Sequence, residues 1–246
     1  MTLQLTPAAK AELAPEGVLR AGINTGNFLL VTSKDEKTGD PVGIAPDMAR
    51  ELARRLGVPV KLIPFASPGK LADAAGSGVW DVGLIGAEPS RAEQIAFTAA
   101  YVEIEASYLV PAGSKLQSMD DVDRAGVRIA ISARSAYDLY LSRHLKHATL
   151  VRVEGIDSAY RQFVKEGLDA LAGLKPGLLA NAEELKGSRI LEGCFTTVQQ
   201  AMGTPVKCQA GAAYLRQFVE EAKASGLVAR LIAKHRVRGL SVAPAA

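Results

Sequence analysis

The chain has 246 residues, of which 48% are hydrophobic and 22% charged, and a net charge of +3 from 29 basic and 26 acidic residues. That balance is ordinary for a globular chain of one large or two small domains. Only 5% of residues are aromatic and no basic run clusters with them, which excludes nucleic-acid binding as a leading reading. No apolar stretch approaches the ~20 residues a membrane helix needs. The first residues, MTLQLTPAAKAELAPEG, show no basic segment followed by an apolar one. The expectations are therefore a signal already removed or a cytoplasmic protein.

In chain order, VLRAGI (Val18 to Ile23) reads as a short buried strand. GIAPDMARELARRLG follows, with Met48, Leu52 and Leu56 on one helical stripe and Gly57 as its stop. VKLIPF (Val60 to Phe65) is a second strand, and Ser67-Pro68 opens a helix with serine as N-cap and proline at the first position. VWDVGLIG is a third strand. Strand-helix-strand alternation implies parallel pairing with helical crossovers. Directly after it, the stretch Gly86 to Tyr101 carries one arginine, Arg91, at what reads as a helix start. On these residues alone Arg91 is either an anion contact or a surface side chain bonded to Glu88 or Glu93.

The pattern then restarts. SYLVPAG (Ser107 to Gly113) and VRIAIS (Val127 to Ser132) read as strands. The next helix carries Tyr137, Leu141 and Leu145 on one face, and Ser135 and Asp138 have the spacing of a capping box. LVRV, the helix in DSAYRQFVKEG, and the apolar run Leu168 to Leu174 follow. Val198 to Val206 is extended, and the last helix places Tyr214, Phe218 and Ala222 in line. Two α/β units of similar size result, with chain crossings expected near Tyr108 and Met202. Two lobes joined by two thin crossings leave a cleft and permit hinge closure.

Chemistry-bearing patterns are sparse. Cys194 and Cys208 fit no metal spacing, and either a disulfide or two thiols suits them. His144 and His147 lie three apart, but a solvated helix face is favoured over a metal pair because no carboxylate or cysteine partner is near in sequence. There is no G-x-G-x-x-G, no P-loop and no recognisable nucleophile-base arrangement, so no cofactor, metal or catalytic residue is expected.

VLRAGINTGNFLL, GIAPDMARELARRLGVPVKLIPF, SGVWDVGLIGAEPSRAEQIAFTAAY and VRIAISARSAYDLYL occur in an order that resembles the bacterial extracellular solute-binding proteins of family 3, the amino-acid-type receptors of ABC importers. The resemblance runs from about Glu16 to Val242. Its most specific block is Trp80 to Tyr101, where the family has a strand, Thr-Pro-Glu-Arg, then Phe-Ser-x-Pro-Tyr. It implies an α/β, two-lobed periplasmic-binding-protein-like fold of type II with the ligand cleft between lobes. Lobe 1 is expected over 1–108 with 203–246, and lobe 2 over 109–202.

The resemblance assigns Arg91 to the ligand carboxylate, a task suited to a planar fork of donors. It assigns Ser135 to a helix N-terminus facing an anion, and Phe28 to a ligand-packing aromatic, although a lone Phe fits a core equally. Asn24 and Asn27 are weaker candidates in the same loop. Three departures stand out. Glu88 occupies the usual threonine position and cannot donate when ionised; it either positions Arg91 or meets a cationic part of a ligand. Arg134 stands where glycine is usual, either as a second fork near the anion or as a solvated side chain. Gly173, Leu174 and Lys175 replace the aspartate that pairs with an α-ammonium.

An unpaired ammonium in a cleft is strongly disfavoured, so a carboxylate ligand without one is expected, with a second anionic group reaching Arg134 or Lys175. Glu88 keeps a cationic ligand in a rearranged site open. The expected partners are a small anionic or amino-acid-like ligand and a membrane ABC permease, with no nucleic acid and a monomeric state. The resemblance implies a periplasmic location, though the sequence shows no signal peptide. The alternatives are a cytoplasmic sensory or orphan binding domain and, third, a dehydratase-like enzyme on the same scaffold. For that enzyme, Glu88 beside Arg91 is the obvious candidate acid.

Overall fold

A computed structural model describes residues 4–246. Along the chain run α1 (Pro7–Leu13), β1 (Leu19–Asn24), β2 (Ser33–Lys34), β3 (Pro41–Val42), α2 (Ile44–Leu56), β4 (Val60–Phe65), α3 (Pro68–Asp73), β5 (Val82–Gly86), α4 (Pro89–Ala92) and β6 (Ile95–Val110). Then come β7 (Arg128–Ser132), α5 (Ala136–His144), β8 (Thr149–Val153), α6 (Ile156–Glu166), β9 (Ala170–Leu174), α7 (Lys175–Glu184), β10 (Arg189–Ile190) and β11 (Thr196–Pro205). α8 (Gln209–Ala224), α9 (Leu227–Lys234) and β12 (Ser241–Val242) close the chain. Packing divides it into two compact units, one up to Glu103 and again from Gln199 to Ala246, the other Ile104–Val198. The crossings expected near Tyr108 and Met202 fall within the same two strands, β6 and β11, that carry the chain between units.

In the first unit β1 pairs in parallel with β4 and β5, and β11 runs antiparallel to β5. The first half of β6 lies next to β11 and also carries β12, antiparallel. The amphipathic helix α2 forms as its stripe demands. Met48, Leu52 and Leu56 are buried, and Gly57 ends it in the left-handed conformation at φ 65°. Trp80 fixes where β5 begins. Its ring packs closely on the glycines of β1 and β5, where a Cβ on Gly22 would stand 3.2 Å from it and one on Gly83 3.3 Å. Its indole N–H donates to the Leu71 carbonyl at 3.1 Å.

In the second unit β7 pairs in parallel with β8 and β9, while β9 is antiparallel to the second half of β6. Phe163 of α6 and Leu178 of α7 pack with Leu109, Ala130, Leu168 and Leu171 into its core. One strand is longer than its sequence suggests: the stretch expected from Ser107 is the end of β6, which starts at Ile95. Cys194 is exposed and Cys208 half-buried, and both are free thiols.

Candidate functional site

In each unit the parallel strands end at one edge, and the loops after them carry the candidate residues. Open α/β sheets bind ligands outside the carboxyl ends of their strands.

In the first unit, β5 stops at Gly86 and Pro89 starts the single turn of α4, which brings Arg91 back over the strand end. Arg91 is buried, 6% exposed, and its NH1 donates to the Gly86 carbonyl at 2.6 Å. Arg91 is therefore not a solvated surface side chain. Glu88, the N-cap residue of α4, makes no capping bond through its side chain, and its Oε2 is buried. β11 closes this corner: the Ala87 N–H donates to the Gln199 carbonyl at 2.7 Å, and buried Gln200 stands opposite Gly86.

The loop after β1 belongs to the same edge. Asn24 and Asn27 build it: Asn24 Oδ1 accepts from the Gly26 N–H and Asn27 Oδ1 from the Leu29 N–H, both at 3.1 Å. Those bonds hold the turn that leaves Phe28 43% exposed, so its ring is no part of the core.

In the second unit, β7 ends at Ser132 and α5 begins after Ser135. Ser135 is buried and its Oγ accepts from the Asp138 N–H at 3.1 Å, one half of the capping box. The other half is displaced by one residue: the Asp138 carboxylate accepts from the Arg134 N–H at 2.7 Å, and Arg152 Nε also donates to it at 2.9 Å. The Tyr137 hydroxyl beside Ser135 and Ser132 is held neutral, its pKa pushed up to about 12 by burial.

Arg134 is exposed and left-handed at φ 57°, a conformation that disfavours any Cβ. That geometry is the physical reason glycine suits the position. Arg134→Gly is expected to relieve about 1 kcal/mol of backbone strain and to raise the melting temperature by ~2–4 °C. A lower melting temperature would show that the arginine side chain contributes more than its backbone costs.

Lys175 is the first residue of α7, and its Nζ stands 2.7 Å from Glu105 Oε2 on β6. The sequence does not single out Glu105 as a partner of Lys175. The antiparallel register Ala106↔Leu174 sets Glu105 opposite Lys175, 70 positions away in the chain. His144, by contrast, is taken up by Tyr140: its ring stacks at 3.8 Å and Nδ1 is 2.7 Å from the Tyr140 carbonyl. Among the described residues no group of three or more His, Cys, Asp or Glu is placed to hold a metal ion.

A family model described as bacterial extracellular solute-binding proteins, family 3, matches residues 20–237. The chain belongs to that family. Solved structures share its fold. An amino acid ABC transporter substrate-binding protein from Streptococcus pneumoniae bound to L-arginine has a TM-score of 0.75 at 18% identity, covering 96% of this chain and 99% of that one. Holo ArgBP from T. maritima has a TM-score of 0.71 at 22% identity, covering 91% and 97%. An ancestral amino acid-binding protein, a precursor of cyclohexadienyl dehydratase, has a TM-score of 0.74 at 22% identity, covering 92% and 98%. The fold is that of the two-lobed periplasmic binding proteins. No curated protein matches the chain.

Proposed function

We propose that this family 3 protein captures a small carboxylate-bearing solute outside the cytoplasmic membrane, closes on it by a hinge at the β6 and β11 crossings, and presents it unaltered to an ABC permease. The observation that carries this reading is Arg91. Arg91, 6% exposed, is fixed by the fold at the strand edge where ligands bind. Phe28, exposed in the loop after β1 in the same unit, supplies an apolar surface for the body of a ligand. Membership of the family supports capture over chemistry.

Structural relatives carry L-arginine, which supports a ligand of amino-acid size. The charge pattern points to a different head group. Where a ligand ammonium would need an acid, positions 173–175 hold Gly, Leu and Lys, so the solute is a carboxylate without an α-ammonium. The likeness to a precursor of cyclohexadienyl dehydratase is the one reason to assay turnover on any ligand found. A thermal-shift screen over amino acids, hydroxy acids and aromatic acids tests the reading. A ligand at 100 times its Kd adds about 2.7 kcal/mol of stability. The expected result is stabilisation by carboxylates lacking the ammonium; a response confined to uncharged or purely cationic compounds would overturn it.

A further inference from the structure

We propose that the first unit holds a second small-molecule site, a cavity at the edge of its sheet opposite Arg91, which takes a single-ring aromatic carboxylate. The proposal does not depend on what binds at Arg91.

The cavity has a volume of about 230 Å³, and every residue lining it belongs to the first unit. It lies at the amino ends of the parallel strands: Arg20 is near the start of β1, Asp81 precedes β5, and Pro205 ends the antiparallel β11. Arg91 lies past the other end of β5. The walls are set by the fold. α1 supplies Ala11, and Pro15 follows it. Leu13 of α1 is fully buried and packs so tightly on α8 that a Cβ on Gly211 would stand 2.9 Å from it. Glu12 Oε2 accepts the Gly211 N–H at 2.7 Å and ties the same two helices. Walls held in this way are in place before a ligand arrives, which lowers the ordering cost of binding.

Size and chemistry define the occupant. Ala11, Pro15, Pro205 and the Trp80 indole present apolar surface. An apolar cavity of about 150 Å³ holds benzene, so this one has room for a ring with a short substituent. Its two acids are engaged by the fold. Glu12 holds α8, and Asp81 accepts three bonds from Arg20. Lys207 is exposed and, among the described residues, enters no ion pair. Next to it, Cys208 is the N-cap of the 16-residue α8, which has no side-chain cap. The positive end of the helix dipoles therefore adds to the lysine charge. An apolar ring beside Trp80 with its carboxylate at Lys207 matches both features.

Cys208 lines the cavity and reports on it. Burial pushes its thiol pKa up, so rates are compared at one fixed pH. In Cys194→Ser, Cys208 is the single thiol of the chain, and its alkylation by iodoacetamide is timed. Benzoate is expected to slow the reaction saturably. Benzyl alcohol should bind about three- to fivefold more weakly, the span of one exposed ion pair, and acetate and benzylammonium should leave the rate unchanged. Lys207→Met is expected to bring the affinity of benzoate down to that of benzyl alcohol. Protection should persist when Arg91→Ala is added, and in that background Ala11→Phe, which fills the cavity from an exposed position, should abolish the benzoate signal in saturation-transfer NMR. The inference is overturned by any of four results: no protection by benzoate, equal protection by benzylammonium, an advantage of benzoate that survives Lys207→Met, or a benzoate signal that survives Ala11→Phe. Loss of protection in Arg91→Ala would also overturn it, because benzoate would then be acting from the opposite edge.

Discussion

Replacing Arg91 with alanine is expected to weaken ligand binding by about 10- to 150-fold, the span that corresponds to ~1.5–3 kcal/mol for hydrogen bonds to a charged group. The guanidinium is already desolvated by the fold, so the ligand does not bear that cost on binding. Its planar fork matches both oxygens of a carboxylate. Arg91→Lys keeps the charge but presents a single point donor, and is expected to recover only part of the loss. Isothermal titration with the strongest hit of the screen measures both. The unliganded alanine variant should also melt slightly lower, because the 2.6 Å bond from NH1 to the Gly86 carbonyl is lost. Affinity within twofold of wild type in Arg91→Ala would remove this residue from the site.

The second large effect concerns stability. Asp81, 5% exposed, accepts from Arg20 three times: from the backbone N–H at 3.0 Å, from Nε at 3.0 Å and from NH2 at 2.7 Å. The pair ties the beginning of β1 to the residue before β5, and the Asp81 N–H returns a bond to the Arg20 carbonyl at 2.8 Å. The Asp81 carbonyl also accepts from buried Thr204 on β11 at 2.9 Å. Breaking a buried ion pair from one side leaves the partner uncompensated and costs 3–5 kcal/mol. Arg20 keeps 18% side-chain exposure and an outer contact to Glu16 at 3.1 Å, which places Asp81→Ala near the low end, about 3 kcal/mol. That corresponds to a melting temperature lower by roughly 10 °C. Asp81→Asn keeps the shape and loses the charge, and should fall in between. Ligand affinity at low temperature should be nearly unchanged in both variants, since Asp81 lies at the start of β5 and Arg91 beyond its end. A melting temperature within 2–3 °C of wild type in Asp81→Ala, less than about 1 kcal/mol, would show the pair to be structurally dispensable.

The first unit was readable in sequence where a single face is buried. α2 has its apolar stripe and its glycine stop, and β1 and β5 are short apolar runs bounded by turn residues. β6 was half hidden. Its first residues, IAFTAAYVE, have neither a clean alternation nor a flanking loop, because α4 lasts one turn and passes straight into the strand. α7 was missed because Leu178 is its one buried residue, so it writes no 3.6-residue stripe. α9 was missed because it begins directly after Gly226, with no loop to separate it from α8.

The site divides in the same way. Arg91 was visible because Pro89 and the end of an apolar strand place it locally. Arg134 was visible as a departure from glycine, and its left-handed backbone explains why it is one. The Lys175–Glu105 pair is not legible in the sequence because the register of β6 on β9 makes it, and the residues of β6 before Ser107 show no strand pattern of their own. The spacing of Ser135 and Asp138 predicts a cap, and the Ser135 hydroxyl accepts the Asp138 N–H as one.

The most direct test is a crystal structure of the protein with its preferred acid bound. Both carboxylate oxygens are expected within about 2.7–2.9 Å of the Arg91 guanidinium, with the solute chemically intact. A ligand bound without contact to Arg91, or a conversion product in its place, would contradict capture by this arginine.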